Sequence, residues 1–262
     1  MKSELLIETG LNSNITFLKN SYCTVPFKIA NITEDQNDLT LRLMLMTSSP
    51  GILNKDNYYQ KINLIKGSSL QLRTQSYQRL FNMNEQASQL LEVFQQPYSS
   101  FTFIAHPVVP HLNSSFSCRN KIFLTEHCSL VWGEILTCGR KLNGEIFHFA
   151  SFQNLTEIYL SGTLVIRENL LIDPNISDIR SMGQLENYTH QASLFYLDEN
   201  ANARQLILDI SSWMKEQDGI IYGITATAIN GFNIKILGYG AEQLYNIMND
   251  INSKFIVRQK FL

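Results

Sequence analysis

No apolar run in this 262-residue chain approaches the ~18 residues that a membrane-crossing helix needs. Charge is also scarce: 17% of residues are charged, and the formal net charge is −2 with a pI near 6.2. Lys and Arg form no cluster that would serve a phosphate backbone, so neither nucleic acid nor a membrane is expected as a partner. Four cysteines, Cys23, Cys118, Cys128 and Cys138, stand too far apart for a zinc signature, whose chelating pairs are two to four residues apart. The regular ten-residue step from Cys118 to Cys128 to Cys138 reads as small buried hydrophobes on successive strands. There is no Gly-x-Ser-x-Gly nucleophile elbow, no Gly-x-x-x-x-Gly-Lys-Ser/Thr phosphate loop and no Gly-x-Gly-x-x-Gly. The five histidines, His106, His111, His127, His148 and His190, include no His-x-x-x-His pair. His127 beside Cys128 has the ligand types for nickel or zinc, but neighbours on a strand face opposite ways.

The first ten residues, Met1 to Gly10, interleave charged and apolar side chains, unlike an ordinary signal peptide, so the expected compartment is the cytoplasm. Thiols stay reduced there, which argues against a disulfide framework. In that setting the six Asn-x-Ser/Thr triplets, at Asn14, Asn31, Asn113, Asn154, Asn175 and Asn187, follow from an Asn-rich composition rather than glycosylation.

At 44% hydrophobic the chain can bury one large core, and a repeating pattern says how. From Lys61 to about Pro174, alternating apolar run, tight polar turn, Ser or Thr, and second alternating run return four times. With Leu70, Phe101, Leu130 and Leu164 as matching positions, the steps are 31, 29 and 34 residues. A near-constant period marks stacked units sharing a core, and a two-residue alternation marks strands. The expected fold is mainly β: a β-solenoid-like body of stacked arches over residues 1–174. An ordinary sandwich, whose hairpins recur at similar spacing, is the alternative.

Short strands are expected before Ile29, then a clear one over Leu39–Met46 with Leu39, Leu41, Leu43 and Leu45 on one face. Residues 175–262 form a C-terminal β-α-β-β-α portion, packed on or beside the body. It holds a strand at 193–197, a helix from Asn202 to Lys215, a hairpin across Asn230-Gly231 as a type I′ turn, and an amphipathic helix from Ala241 to Val257.

Three stretches break the repeat without a packing gain, which is where function is expected. Thr74–Phe81 is polar where a core strand should be apolar, and His106–His111 carries prolines that disallow a central ladder position. Trp132–Phe147 combines Gly133, Gly139 and Gly144, read as bends, with Glu134, Arg140 and Glu145. Glu134 and Glu145 suit either an acid/base pair of a carbohydrate-cleaving solenoid or ion pairing at a bend.

Read together, these stretches resemble the urease accessory proteins called UreD or UreH. Ser49-Pro-Gly51 followed by Asp56 is similar to that family's Ser-Pro-Gly…Gly-Asp element, and Thr74-Gln75 to its Thr-Gln. Pro107-Val-Val-Pro110 resembles its Pro-x-x-Pro-Phe turn, and Glu134…Gly139-Arg140…Gly144-Glu145 its Glu…Gly-Arg…Gly-Glu run. Ile234-Lys-Ile-Leu-Gly238 resembles the strand before its last helix. The likeness spans about residues 25–260 in order; Lys55 in place of a glycine and His111 in place of a phenylalanine depart from it.

The resemblance implies a non-enzymatic scaffold, mostly β with two helices towards the C-terminus. It would bind UreF, through UreF the GTPase UreG, and the urease apoprotein, with no tightly bound cofactor and a nickel ion only in transit. A conduit must admit an ion yet release it. Thiolate and imidazole clusters would trap Ni²⁺, whereas isolated carboxylates and hydroxyls suit transit. Asp56, Thr74, Gln75, Glu134 and Glu145 are therefore expected to line a polar passage or its mouth, Arg140 balancing the carboxylates; Asp56, Glu134 and Glu145 are the transit-metal candidates. As an alternative, all are buried turn residues holding the arches. A scaffold predicts exposed apolar surface, a carbohydrate-acting protein a groove with two carboxylates, and a metal store a chelating cluster.

Overall fold

A computed structural model describes residues 2–257; Met1 and the last five residues of the expected C-terminal portion lie outside it. The chain opens with β1 (Lys2–Asn12), β2 (Ile15–Cys23), β3 (Phe27–Asn31), β4 (Thr40–Thr47), β5 (Asn57–Leu64) and β6 (Ser69–Thr74). It continues as β7 (Gln78–Leu80), β8 (Ala87–Gln95), β9 (Ser100–Ile104), β10 (Val108–Pro110), β11 (Ser115–Leu124) and β12 (Ser129–Thr137). Then come β13 (Ser151–Leu160), β14 (Thr163–Ile172), β15 (His190–Asp198), α1 (Ala203–Met214), β16 (Ile220–Ala226), β17 (Gly231–Gly238) and α2 (Ala241–Ile251). The protein is mainly β with two helices near its C-terminus.

The strands form a seven-stranded sheet, β14-β13-β11-β8-β5-β1-β2, and a ten-stranded one, β16-β17-β15-β12-β9-β6-β4-β3, with β7 and β10 beside its path. In the middle the chain alternates between the sheets. β5, β8, β11 and β13 are parallel neighbours in one, and β4, β6, β9 and β12 in the other. Leu5, Ile62, Val93 and Ile122 from the first sheet meet Leu43, Leu72, Phe101 and Leu130 from the second in one core.

The turns joining β5 to β6, β8 to β9 and β11 to β12 share a backbone. Gly67, Tyr98 and His127 hold the same left-handed position (φ 73°, 62° and 55°). A buried Ser68, Ser99 or Cys128 follows each. Successive turns are linked by backbone bonds, Gly67 N–H to Pro97 O and Tyr98 N–H to Glu126 O. Cys128 is thus the third member of a Ser-Ser-Cys series, and Tyr98 stacks on His127 at 4.9 Å.

The matching positions shift by one unit from the expected set. Leu70 pairs with Phe101 and Phe101 with Leu130, but the next rung is Leu41 of β4, not Leu164. The unit containing Leu164 turns back at Ser161-Gly162, and β14 runs antiparallel to β13 within the seven-stranded sheet. β14 closes the edge of that sheet: Arg167, Asn169 and Leu171 face outward and are exposed, while Ile166, Leu170 and Ile172 pack inward against the core.

Over β12, β15 and β17 the ten-stranded sheet is buried on both faces. On its outer side Val131, Ile135, Leu194, Tyr196, Ile234 and Ile236 pack against Leu206, Ile210, Met214, Leu244 and Met248 of the helices. β12 is consequently buried along nearly its whole length, and between Leu130 and Leu136 Glu134 is its one charged residue. Gly133 lies mid-strand in β12 rather than at a bend. Leu39 precedes β4 and is exposed, while Leu41, Leu43 and Leu45 are buried. α2 ends at Ile251 and passes into a π-helical turn, Asn252–Ile256.

The Asn230-Gly231 pair does not make a type I′ turn, since Asn230 is not left-handed. Residues 227–230 form a longer loop, and the Asn230 amide donates instead to the carbonyls of Asp198, Glu199 and Ala201.

Candidate functional site: a polar cavity between the sheets

The inner face of the seven-stranded sheet should be apolar at every second residue. Two of its rows are not. One runs Tyr58, Gln89, Cys118, Asn154, Leu170 and the next Gln60, Leu91, Asn120, Thr156, Glu168, each read across β5, β8, β11, β13 and β14 by register. Facing them from the ten-stranded sheet are Glu134 on β12 and its partner Ser193 on β15. Polar groups cannot close against one another like alkyl chains, and a cavity of about 310 Å³ remains. Its wall runs from Ser49, Pro50, Gly51, Gln75 and Ser76 at the surface past Cys118, Asn120 and Glu134 to Glu168 and Gln191.

Glu134 is the centre. Asn120 Nδ2 donates to its Oε1 at 3.0 Å and Thr156 Oγ1 to its Oε2 at 3.2 Å. Asn120 Nδ2 also lies 3.0 Å from Asn154 Oδ1 and 3.0 Å from Thr156 Oγ1, three acceptors for two hydrogens. No ion pair to Glu134 exists among the described residues, so its charge rests on dipoles alone. Burial pushes its pKa up, and the Glu168 charge adds to this; the Asn154 and Thr156 donors and the indole N–H of Trp132 pull it back. That indole lies two residues away on β12 without completing a well-formed hydrogen bond. The Cys118 thiol donates to Asn120 Oδ1 at 3.5 Å and accepts from Gln89 Nε2 at 3.6 Å. Burial, with Glu134 second, pushes its pKa well up, so it is a thiol and not a thiolate.

At the surface end, Thr74 Oγ1 and His106 Nδ1 are 2.9 Å apart, and His106 stacks on Tyr245 of α2 at 4.3 Å. Tyr77 O–H donates to Glu242 Oε2 at 2.6 Å. The loop at this mouth is thereby tied to the first turns of α2.

Of the residues singled out from sequence, Thr74, Gln75 and Glu134 line the cavity. Asp56 stands behind it: its Oδ2 accepts from Leu53 N–H at 2.8 Å and from the hydroxyl of Tyr58, which does line it, at 3.2 Å. Arg140 and Glu145 lie elsewhere. Arg140 Nε donates to Glu145 Oε2 at 2.8 Å, Leu112 N–H adds 3.1 Å, and the guanidinium holds that carboxyl below its ordinary value. Arg140 therefore balances Glu145 and not Glu134, and the two glutamates do not converge on one groove. Gln89, Cys118, Asn120, Thr156 and Glu168 were not anticipated. Their signal was parity: each is polar at the inward phase of its strand, which elsewhere carries apolar residues such as Val93, Ile122, Ile158 and Leu170. Among the described residues no cluster of three or more His, Cys, Asp or Glu side chains is placed to hold a metal ion, and no helix is long and apolar enough to cross a membrane. The three regularly spaced cysteines are all buried but share no site: only Cys118 lines the cavity.

Comparison with known proteins decides the family. A model of the "UreD urease accessory protein" family matches residues 2–262. This chain belongs to the UreD family. It is 41% identical over 263 residues to the urease accessory protein UreD of Flavobacterium johnsoniae, covering 100% of this chain and 95% of that one. To the UreD proteins of Haemophilus influenzae and Acetivibrio thermocellus it is 32% and 29% identical, over 264 and 253 residues. Each of these alignments covers 96% of this chain, and 97% and 96% of the respective relatives. The family resemblance read from Ser49-Pro-Gly51, Thr74-Gln75 and the Glu134–Glu145 run is thereby confirmed over the full length.

Proposed function

We propose that this UreD-family chain is a non-enzymatic scaffold of urease maturation, working in the cytoplasm, that binds the urease apoprotein and UreF, and through UreF the GTPase UreG. Its polar cavity is a passage for Ni²⁺ on the way to the urease active site. The alternating parallel strands support reading its body as a short β-solenoid, with residues 175–262 built onto it as one unit.

One observation carries the passage: a cavity that enters at Ser49–Gly51 and Gln75 and meets, inside, a carboxylate with no cation of its own. Carboxylate, amide and hydroxyl oxygens bind a divalent ion weakly enough to release it. Leu142, Met182 and Ile176, exposed by 100%, 94% and 85%, support partner binding. The carbohydrate-cleaving reading loses its acid/base pair, because Glu145 is held outside the cavity by Arg140.

The test is the nickel content of urease matured in cells whose UreD carries Glu134→Ala or Asp56→Ala. Glu134→Ala is expected to lower nickel loading at least severalfold while the accessory complex still assembles. Asp56→Ala should act more mildly, since Asp56 reaches the cavity only through Tyr58. Normal loading in both variants with the complex intact would remove the passage from the reading.

A further inference from the structure

This inference rests on reading the cavity as a cation passage and concerns how such a passage avoids becoming a trap. Two carboxylates line the cavity, Glu134 and Glu168. Two carboxylates facing one cavity bind a divalent cation far more tightly than one does. The second is not left bare. Lys235 Nζ lies 2.6 Å from Glu168 Oε1, Ser193 Oγ donates to Glu168 Oε2 at 3.1 Å, and Asn233 Nδ2 donates to Ser193 Oγ at 3.2 Å. Glu134, Ser193 and Lys235 are successive register partners across β12, β15 and β17, so the row that carries the central carboxylate also carries this ammonium.

Phe232, Ile234 and Ile236 of β17 are buried under the helices, whereas Lys235 projects from the opposite face towards β14 of the other sheet. Its side chain is half exposed, as expected of a cation that can move between the carboxylate and water. Lys235 does not itself line the cavity and reaches it through Glu168; Arg79, which does line it, has its backbone carbonyl at the Gly51 end, where it accepts from Ile52 N–H.

We propose that Lys235 is a tethered counter-cation that neutralises Glu168 and so tunes the cavity to hold a divalent cation loosely. A passing ion meets one free carboxylate, Glu134, and reaches Glu168 only by displacing the ammonium, which returns behind it and favours release.

The experiment is equilibrium dialysis of the full chain against Ni²⁺, with Lys235→Met keeping most of the aliphatic stem and Lys235→Arg keeping the charge. Lys235→Met is expected to bind Ni²⁺ about tenfold or more tightly than the unsubstituted chain. Adding Glu168→Gln to it should restore the original affinity, and Lys235→Arg should leave it unchanged. Those last two variants also separate the charge effect from mere loss of a clamp between β14 and β17, which both Lys235→Met and the double variant would suffer. If Lys235→Met binds no more tightly while Glu134→Gln binds more weakly than the unsubstituted chain, the proposal is overturned and the passage stands. If Glu134→Gln also binds unchanged, the cavity takes no cation and both readings fall.

Discussion

At the scale of single residues, the cavity is a place where stability is given up. Glu134 is held by amide and hydroxyl dipoles without a cation, and burial raises its pKa, so the folded protein favours the neutral acid. A raised folded-state pKa contributes stability that is present below the unfolded value and lost as pH rises through the folded one. At neutral pH the ionised group is therefore a cost. Glu134→Gln, neutral and of nearly the same shape, is expected to unfold at equal or higher urea concentration at pH ~7.5, by roughly 1 kcal/mol, with the difference closing as pH falls towards the ordinary carboxylate range. A clear destabilisation at neutral pH would show that the charge is structurally required. Glu134, Thr74 and Gln75 were legible in the sequence because they sit where the repeat breaks. Asn120, Cys118 and Thr156 lie inside regular strands, and only parity combined with the register between strands reveals that their side chains share a face. Arg140 and Glu145 misled for the complementary reason: a conspicuous spacing along the chain closed a local ion pair instead of reaching inward.

Among the elements, the strand–turn–strand units were readable from alternation, and the turns explain why. Each needs one residue in the left-handed region, and Gly67 fills that place in the first while Tyr98 and His127 accept the strain in the next two. The sequence did not reveal which units stack, because β14 has the same alternation as its predecessors and differs in turning back at Ser161-Gly162 to run antiparallel beside β13. The Asn230-Gly231 pair was misread for a similar reason: its glycine answers to a neighbour rather than to a turn. A Cβ on Gly231 would collide with the Tyr196 carbonyl oxygen, whereas one on Gly67 would meet only Leu11 at 3.6 Å. Gly67→Ala is thus expected to cost about 1–2 kcal/mol, the left-handed penalty alone. Gly231→Ala should cost more, about 3 kcal/mol, because β15 and β17 must separate. Urea unfolding of both variants measures the gap, and equal losses would contradict the assigned causes.

For the whole molecule, the ten-stranded sheet is the shared wall of two cores, one against the seven-stranded sheet and one under the helices. Leu130, Trp132 and Leu136 of β12 belong to the first core and Val131 and Ile135 of the same strand to the second, so neither can be lost while β12 keeps its place in the other. β15 pairs with β12 along its full length, which carries the C-terminal hairpin and both helices on the same wall. The cavity depends on this continuity, since Glu134 comes from β12 and Ser193 from β15. The expectation is a single cooperative transition, in which helix loss seen by far-ultraviolet circular dichroism coincides with loss of the tertiary signal from Trp132 and its neighbours. Ile210→Ala, which removes a fully buried side chain of α1, should move both curves together, by about 2–4 kcal/mol. Were the helical signal to melt first, with the Trp132 environment unaltered, the two cores would be separable, and the far wall of the cavity would be free to part from β12.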